Sequence, residues 1–361
     1  MNTYKSIKID PLAVEAINSF KIPEDLAFGK VMAPIMIEAN YSKGNWSDFV
    51  MVPYRKLEFD PTCKVLHYGQ EIFEGLKAYN THAQGPFLFR PEENWKRFNF
   101  SAARMAMPSL PSEGFIEGCE AITAFCTHLI PISSGDSLYI RPFMFATDSN
   151  LGIKPSETFK FLILASPSQS YFKSDSIKVL VESEAIRACP GGVGNAKTGG
   201  NYAASLLSMI NAKEKGFDQV LWLDAVDKKF VEEMSGMNFF AVYDDKIITP
   251  KLTETILDGI TRKSIIELAK SLHIIVEERE IDIEQLLIDI KKERCTECFA
   301  CGTAVIITPI SILGTKQGNY YPLKFDQGPL SMKLRESLLN IQEGSEEDPF
   351  GWRKTIKPAP L

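Results

Sequence analysis

Apolar positions along this chain follow two spacings, one that marks strands and one that marks amphipathic helices. DSLYIRPFMFA and TFKFLILAS are rich in aromatic and branched residues and read as buried strands. LEFDPTCKVLHYGQ followed by IFEGLKAYN reads as strands joined by turns. Asn94 to Met107 carries Trp95, Phe98, Ala102, Met105 and Ala106 at helical spacing. Gly114 to Ile130 repeats that spacing until Pro131 stops it. The Ser/Pro stretch from Ser166 to Asp175 reads as a linker. Beyond it, IKVLVES, DQVLWLDA, HIIVEERE and the MNFFAVYDDKIITP hairpin read as strands, while Asn201 to Glu214 and Ile260 to Ser271 read as helices. From Gln342 the chain is polar with prolines and reads as a surface tail. Strands and helices alternate irregularly, with hairpins, which predicts α+β rather than a doubly wound sheet.

Length and charge narrow the class. The chain has 361 residues, enough for two domains at roughly 150 residues each. Forty Lys and Arg stand against 46 Asp and Glu, a net charge of −6, which offers no basic field to a nucleic acid or an anionic membrane. The longest uncharged stretch, Cys298 to Thr315, is broken by Gly302, Pro309 and Gly314 and fails as a membrane helix. The opening MNTYKSIKID has neither an apolar signal core nor an Arg-rich amphipathic pattern, so a cytoplasmic protein is expected. Seven cysteines, an odd number spread over a long chain, argue against a disulfide framework.

The most informative segment is GGVGNAKTGGNY, Gly191 to Tyr202, in which six glycines and alanines surround Lys197. Stripping bulk from around an amine lets it approach a flat ligand, the requirement of a Schiff-base lysine; an incidental lysine in an exposed glycine-rich loop is the plain alternative. The segment is one residue away from a phosphate-cradling loop, but Ala196 stands where that loop needs glycine. A helix should also begin at Lys197-Thr198, whereas Gly199, Gly200 and Asn201 follow, which is poor helix-starting sequence until Tyr202. Glu233 follows a strand and could hold a protonated ring nitrogen, or be an ordinary glutamate like its neighbour Glu232. LDGITR opens a helix whose free N–H groups suit an anion, or is a plain capped start. Cys295, Cys298 and Cys301 fall at C-x2-C-x2-C spacing, but the fourth ligand of an iron–sulfur or zinc site is missing nearby. His67, His82, His128 and His273 share no ligand spacing, and no G-x-S-x-G elbow supports a serine hydrolase.

Taken in order, HYGQEIFEGLKAY, FRPEENWKRF, LYIRPFMFATDSNLG, GGVGNAKTGGNYA, EEMSGMN, LDGITR and ECFACGTA resemble the branched-chain amino acid aminotransferases, pyridoxal 5'-phosphate enzymes of fold type IV. The resemblance implies a small N-terminal domain over residues 1–165, an interdomain loop over 166–176 and a large domain over 177–361 carrying the cofactor lysine. The cofactor would lie between the domains, and a homodimer would complete the site. Lys197 would bond to the cofactor, Tyr202 would meet its phenolic oxygen, and Glu233 its pyridine nitrogen. Arg97 with the backbone of Ile260 and Thr261 would bind the phosphate. Thr303 and Ala304 would meet the phosphate or the substrate's α-carboxylate, and Tyr68, Phe73, Tyr139 and Arg141 would build the substrate pocket. The implied reaction moves the amino group of leucine, isoleucine or valine to 2-oxoglutarate by a ping-pong cycle. D-amino acid transaminases and aminodeoxychorismate lyases share the fold and are the rival enzymes; a metal-binding module on the three cysteines is the rival from another class.

The chain departs from the family at three places. FGKVMAPIM stands for the family's F-G-x-x-F-T-D-H-M, so Met32 replaces a pocket aromatic. Met234 and Ser235 follow Glu233 in place of the usual small residues. Val305 and Thr308 occupy the positions of the redox C-x-x-C found in some members, so no thiol switch is expected there.

Overall fold

The computed structural model describes residues 4–81, 85–169, 175–244 and 246–360. It divides into two compact units: Met1–Tyr171 with Ala196–Gly199 and Asn340–Leu361, and Phe172–Asn195 with Gly200–Leu339.

The first unit is built on a ten-stranded, almost wholly antiparallel sheet. Its centre is the pair Ser137–Ala146 and Phe159–Ser168, matched over ten residues. Along the first of these, Leu138, Ile140, Met144 and Ala146 are fully buried while Tyr139, Arg141 and Phe143 are partly exposed. Period-two alternation therefore puts Tyr139 and Arg141 on one face of the sheet. On the core side, Phe98 of the helix Pro91–Arg104 packs against Phe115 and Phe161, with ring centroids 5.4 and 5.8 Å away.

The second unit carries a nine-stranded mixed sheet. Val231–Met234 pairs with Gln219–Leu223 on one side and with Asn238–Tyr243 on the other, so six strands close into a barrel. The seam is a single matched pair, Glu233 with Asn238, beside the tight turn in which Met234 N–H donates to the Met237 carbonyl. Ile177, Val179, Leu221, Phe239 and Ala300 are among the buried residues of this unit's core. The helix Ile283–Lys291 is capped by Asp282, whose carboxylate accepts from the N–H groups of Glu284 and Gln285.

Several elements differ from the sequence reading. LEFDPTCKVLHYGQ contains the helix Lys64–Tyr68 instead of a strand. Asp60 accepts from the N–H and hydroxyl of Thr62 to start the turn, and Gly69, at φ 60°, ends the helix in the left-handed region. The Gly114 to Ile130 stretch is a π turn, the helix Gly118–Phe125 and a short 3₁₀ turn. The helix expected over Asn201 to Glu214 is two, Gly199–Ala203 and Leu206–Glu214. The break falls where both the N–H and the hydroxyl of Ser205 bond back to the Tyr202 carbonyl. The first of them also begins at Gly199, earlier than expected, because the Glu71 carboxylate accepts the Gly199 N–H. The strand Phe159–Ser168 runs into the expected linker, and residues 170–174 of that linker lie outside the described residues. The end of the chain is no surface tail. Gln342 and Glu343 are buried, and Arg353–Thr355 forms a strand on Phe87–Phe89 of the first unit's sheet.

Candidate active site

In the first unit Lys197 sits on a short segment hydrogen-bonded alongside the strand Glu71–Phe73. Its carbonyl accepts from Phe73 N–H at 3.0 Å and its N–H donates to the Ser101 hydroxyl at 2.9 Å. The Thr198 hydroxyl donates to the Glu71 carbonyl at 2.8 Å. These bonds fix the lysine's backbone on both sides, while its Nζ reaches to 5.0 Å from the centre of the Phe73 ring.

Beside it lies Glu74, wholly buried, which the sequence reading did not single out. Arg97 grips it with two nitrogens, Nε to Oε1 at 2.7 Å and Nη2 to Oε2 at 2.8 Å, and Asn94 donates to Oε2 at 2.7 Å. Burial alone pushes the Glu74 carboxyl up, but the Arg97 guanidinium and the Lys197 charge outweigh it and hold the group below the usual glutamate range. Glu71 goes the other way: burial lifts it despite the bonds from Gly199 and Thr198 and the charge of Arg141.

Arg141 and Tyr139 share the sheet face described above. Arg141 Nη2 donates to the Tyr139 hydroxyl at 3.0 Å, and its guanidinium lies 4.7 Å from the centre of the Phe73 ring. Its Nε is buried without a hydrogen-bond partner. Gly75 makes the arrangement fit, since a Cβ there would overlap the Tyr139 hydroxyl. Phe28, from the stretch that departs from the family pattern, packs edge-on against Tyr139 at 4.8 Å. Tyr68 does not join this group: it is largely exposed, with its hydroxyl donating to the Leu151 carbonyl at 2.5 Å.

In the second unit Glu233 stands at the barrel seam, buried, with both oxygens engaged. Oε1 pairs with Arg187 Nη2 at 3.0 Å, and Oε2 accepts from Asn238 Nδ2 at 3.2 Å and Leu257 N–H at 3.1 Å. Arg187 also donates to the Thr255 carbonyl, and its Nε is buried without a partner. The sequence reading missed Arg187. Its only local signal is one cation in the small-residue stretch AIRACPGG.

The pairings of Asn238 with Cys301 and of Gly302 with Ile306 bring the Thr303–Ala304 turn to the same end of the sheet as the Glu233 seam. Tyr202 reaches this end too, its ring within 3.6 Å of where a Cβ on Gly236 would stand. The helix Ile260–Ser271 starts here, with no side chain capping its first turn. Gly259 precedes it because a Cβ there would overlap the Asn238 amide oxygen. Uncapped N–H groups at a helix start suit an anion.

The cysteines give no metal centre. Cys295 and Cys298 bring their sulfurs within 3.8 Å, and among the described residues no group of three or more ligating side chains could hold a metal ion.

Comparison with known proteins accounts for these features. The Amino-transferase class IV family model matches residues 71–313. A probable branched-chain-amino-acid aminotransferase of Streptomyces coelicolor is 43% identical, over 91% of this chain and 92% of its own. Branched-chain-amino-acid aminotransferase 2 of Bacillus subtilis is 43% identical over 92% and 93%. The crystal structure of the Escherichia coli branched-chain amino acid aminotransferase aligns at a TM-score of 0.73 with 29% identity, covering 89% of this chain and all of that one. The chain therefore belongs to the class IV aminotransferases and, within them, to the branched-chain-amino-acid aminotransferases.

The cofactor of the class is pyridoxal 5'-phosphate, and the residues present fit it. A glycine-flanked lysine in the first unit suits an aldehyde; in the second unit an uncapped helix start suits a phosphate and a buried carboxylate suits a protonated ring nitrogen.

Proposed function

We propose that this protein transfers the amino group of L-leucine, L-isoleucine and L-valine to 2-oxoglutarate, releasing branched 2-oxo acids and L-glutamate. The observation that carries the proposal is Lys197, held by backbone bonds to Phe73 and Ser101 beside the buried Glu74–Arg97 pair. Bound pyridoxal 5'-phosphate supplies an electron sink for the substrate's α-carbon. Lys197 would anchor the cofactor and, when its Nζ is free, would take the proton from the substrate's α-carbon and deliver it across the nitrogen to the carbon that had been the aldehyde. Glu233 keeps a proton on the ring nitrogen, and Arg187, paired with its Oε1, holds the carboxylate in place for that work. Arg97 and the N–H groups of Ile260 and Thr261 take the phosphate, and Tyr202 the phenolic oxygen. Thr303 and Ala304 orient the substrate's α-carboxylate.

Phe73 and Tyr139 offer an apolar wall to a branched side chain. One methylene is worth only about 1–3 kcal/mol in such a pocket, so the three amino acids should be poorly distinguished. Glutamate needs a cation for its second carboxylate, and Arg141 with the Tyr139 hydroxyl supplies it. A homodimer in the cytoplasm, with Tyr68 contributing to a pocket completed by the partner, belongs to the same reading; sedimentation of the holoenzyme tests the dimer.

The deciding experiment is the visible absorption of the purified holoenzyme. Bleaching by L-leucine and recovery with 2-oxoglutarate support the proposal. A spectrum that ignores L-leucine and answers D-alanine overturns the substrate class.

A further inference from the structure

Glu232 and Glu233 are neighbours on one strand, so their side chains project to opposite faces. Glu232 lines a cavity of about 570 Å³ that lies wholly within the second unit, a size typical of small-molecule sites. The geometry points to a binding site there for an organic ammonium ion with a compact apolar body.

The walls that suit the body are Val226, Phe230 and Ile256, with Pro190. The charge around them is one-sided. Asp227, Glu254 and Glu280 line the cavity, and the one lining cation, Lys251, is paired with Glu280 at 2.9 Å. Asp224 lines it too, but its oxygens accept four backbone N–H groups of its own turn. Glu232 is different. It is 6% exposed; Oε1 accepts from the Thr255 hydroxyl, and Oε2 is buried with no hydrogen-bond partner. Burial pushes its carboxyl up, with the Asp224 charge adding to the rise against the Thr255 bond and the Arg187 charge. An ammonium N–H donating to Oε2 satisfies the orphaned acceptor and neutralises a charge that burial disfavours. The same field repels carboxylates, which sets this site apart from the amino and oxo acids of the proposed reaction.

The probe is N,N-dimethylbenzylammonium, whose tertiary nitrogen keeps one N–H and cannot condense with a carbonyl. Titration calorimetry on the holoenzyme should give saturable binding of one per chain. Glu232→Gln, which keeps the volume and removes the charge, should weaken it at least tenfold. Val226→Arg should do the same by placing a cation at the mouth; Val226 is 74% exposed, so this variant tests the site even where Glu232→Gln fails to fold. Absence of saturable heat, unchanged binding in a folded Glu232→Gln protein, or unchanged binding in Val226→Arg overturns the proposal.

Discussion

Some side chains that carry charge into the interior do so in pairs, Arg187 with Glu233 and Arg97 with Glu74, and each pair has a measurable weight. Arg187 and Glu233 are both nearly inaccessible and 3.0 Å apart. Removing one partner of such a pair strands the other, at a cost of about 3–5 kcal/mol. Arg187→Met should therefore lower the denaturation midpoint, and it should also lower kcat, since Glu233 loses the partner that holds its carboxylate in place. Arg187→Lys should recover part of both. Arg141→Met tests a different charge: it should slow the half reaction with 2-oxoglutarate roughly 10- to 100-fold, from the 1.5–3 kcal/mol of a charged hydrogen bond, and leave the leucine half reaction nearly intact. Stopped-flow absorption on each half separately reads that ratio; equal losses would exclude the assignment. Lys197→Ala should lower the activity by about 10²–10⁴-fold, the usual weight of a positioned base, while leaving the fold.

At the scale of elements, Glu74 joins the strand region to the helix Pro91–Arg104 through Arg97 and Asn94. Its carboxyl lies below the value of an unfolded glutamate. The stabilisation from this pair is therefore complete above about pH 4.3 and is lost as acid protonates the folded group. Glu74→Gln should be less stable than the natural protein at pH 7, and the gap in denaturation midpoint should close in acid, below about pH 4.

This level also shows what the chain disclosed and what it withheld. Strands such as Ser137–Ala146 were legible because aromatic and branched residues favour strands; that Tyr139 and Arg141 share a face emerged only from the alternation of burial along the strand. Lys197 was legible because a close approach demands glycine around it. Glu74 and Arg187 were not: a buried charge is recognised by its partner, and both partners lie far away in sequence, Arg97 by 23 residues for one. The helix Lys64–Tyr68 was misread because Asp60 and Gly69, which start and stop it, act through geometry that an apolar count does not register.

At the scale of the whole molecule, the closing strand Arg353–Thr355 is the last element of the first unit's sheet, and Trp352 beside it packs edge-on against Phe89 at 5.7 Å. Ending the chain after Gly344 should expose Phe87 and Phe89 and cut the denaturation midpoint, although no residue assigned to chemistry is removed. A truncated protein as stable as the full chain would show that the strand is only an ornament of the edge.

The chain passes between its two units four times, and Lys197 rides on the shortest visit, the four residues Ala196–Gly199. No single cut in the sequence separates one complete unit from the other. A hybrid made by joining residues up to Tyr171 of this protein to the remainder of a relative would import a foreign lysine segment and a foreign closing strand together. Inheritance by a single crossover is thus penalised at two distant places at once, so the two units are expected to change hands as one piece.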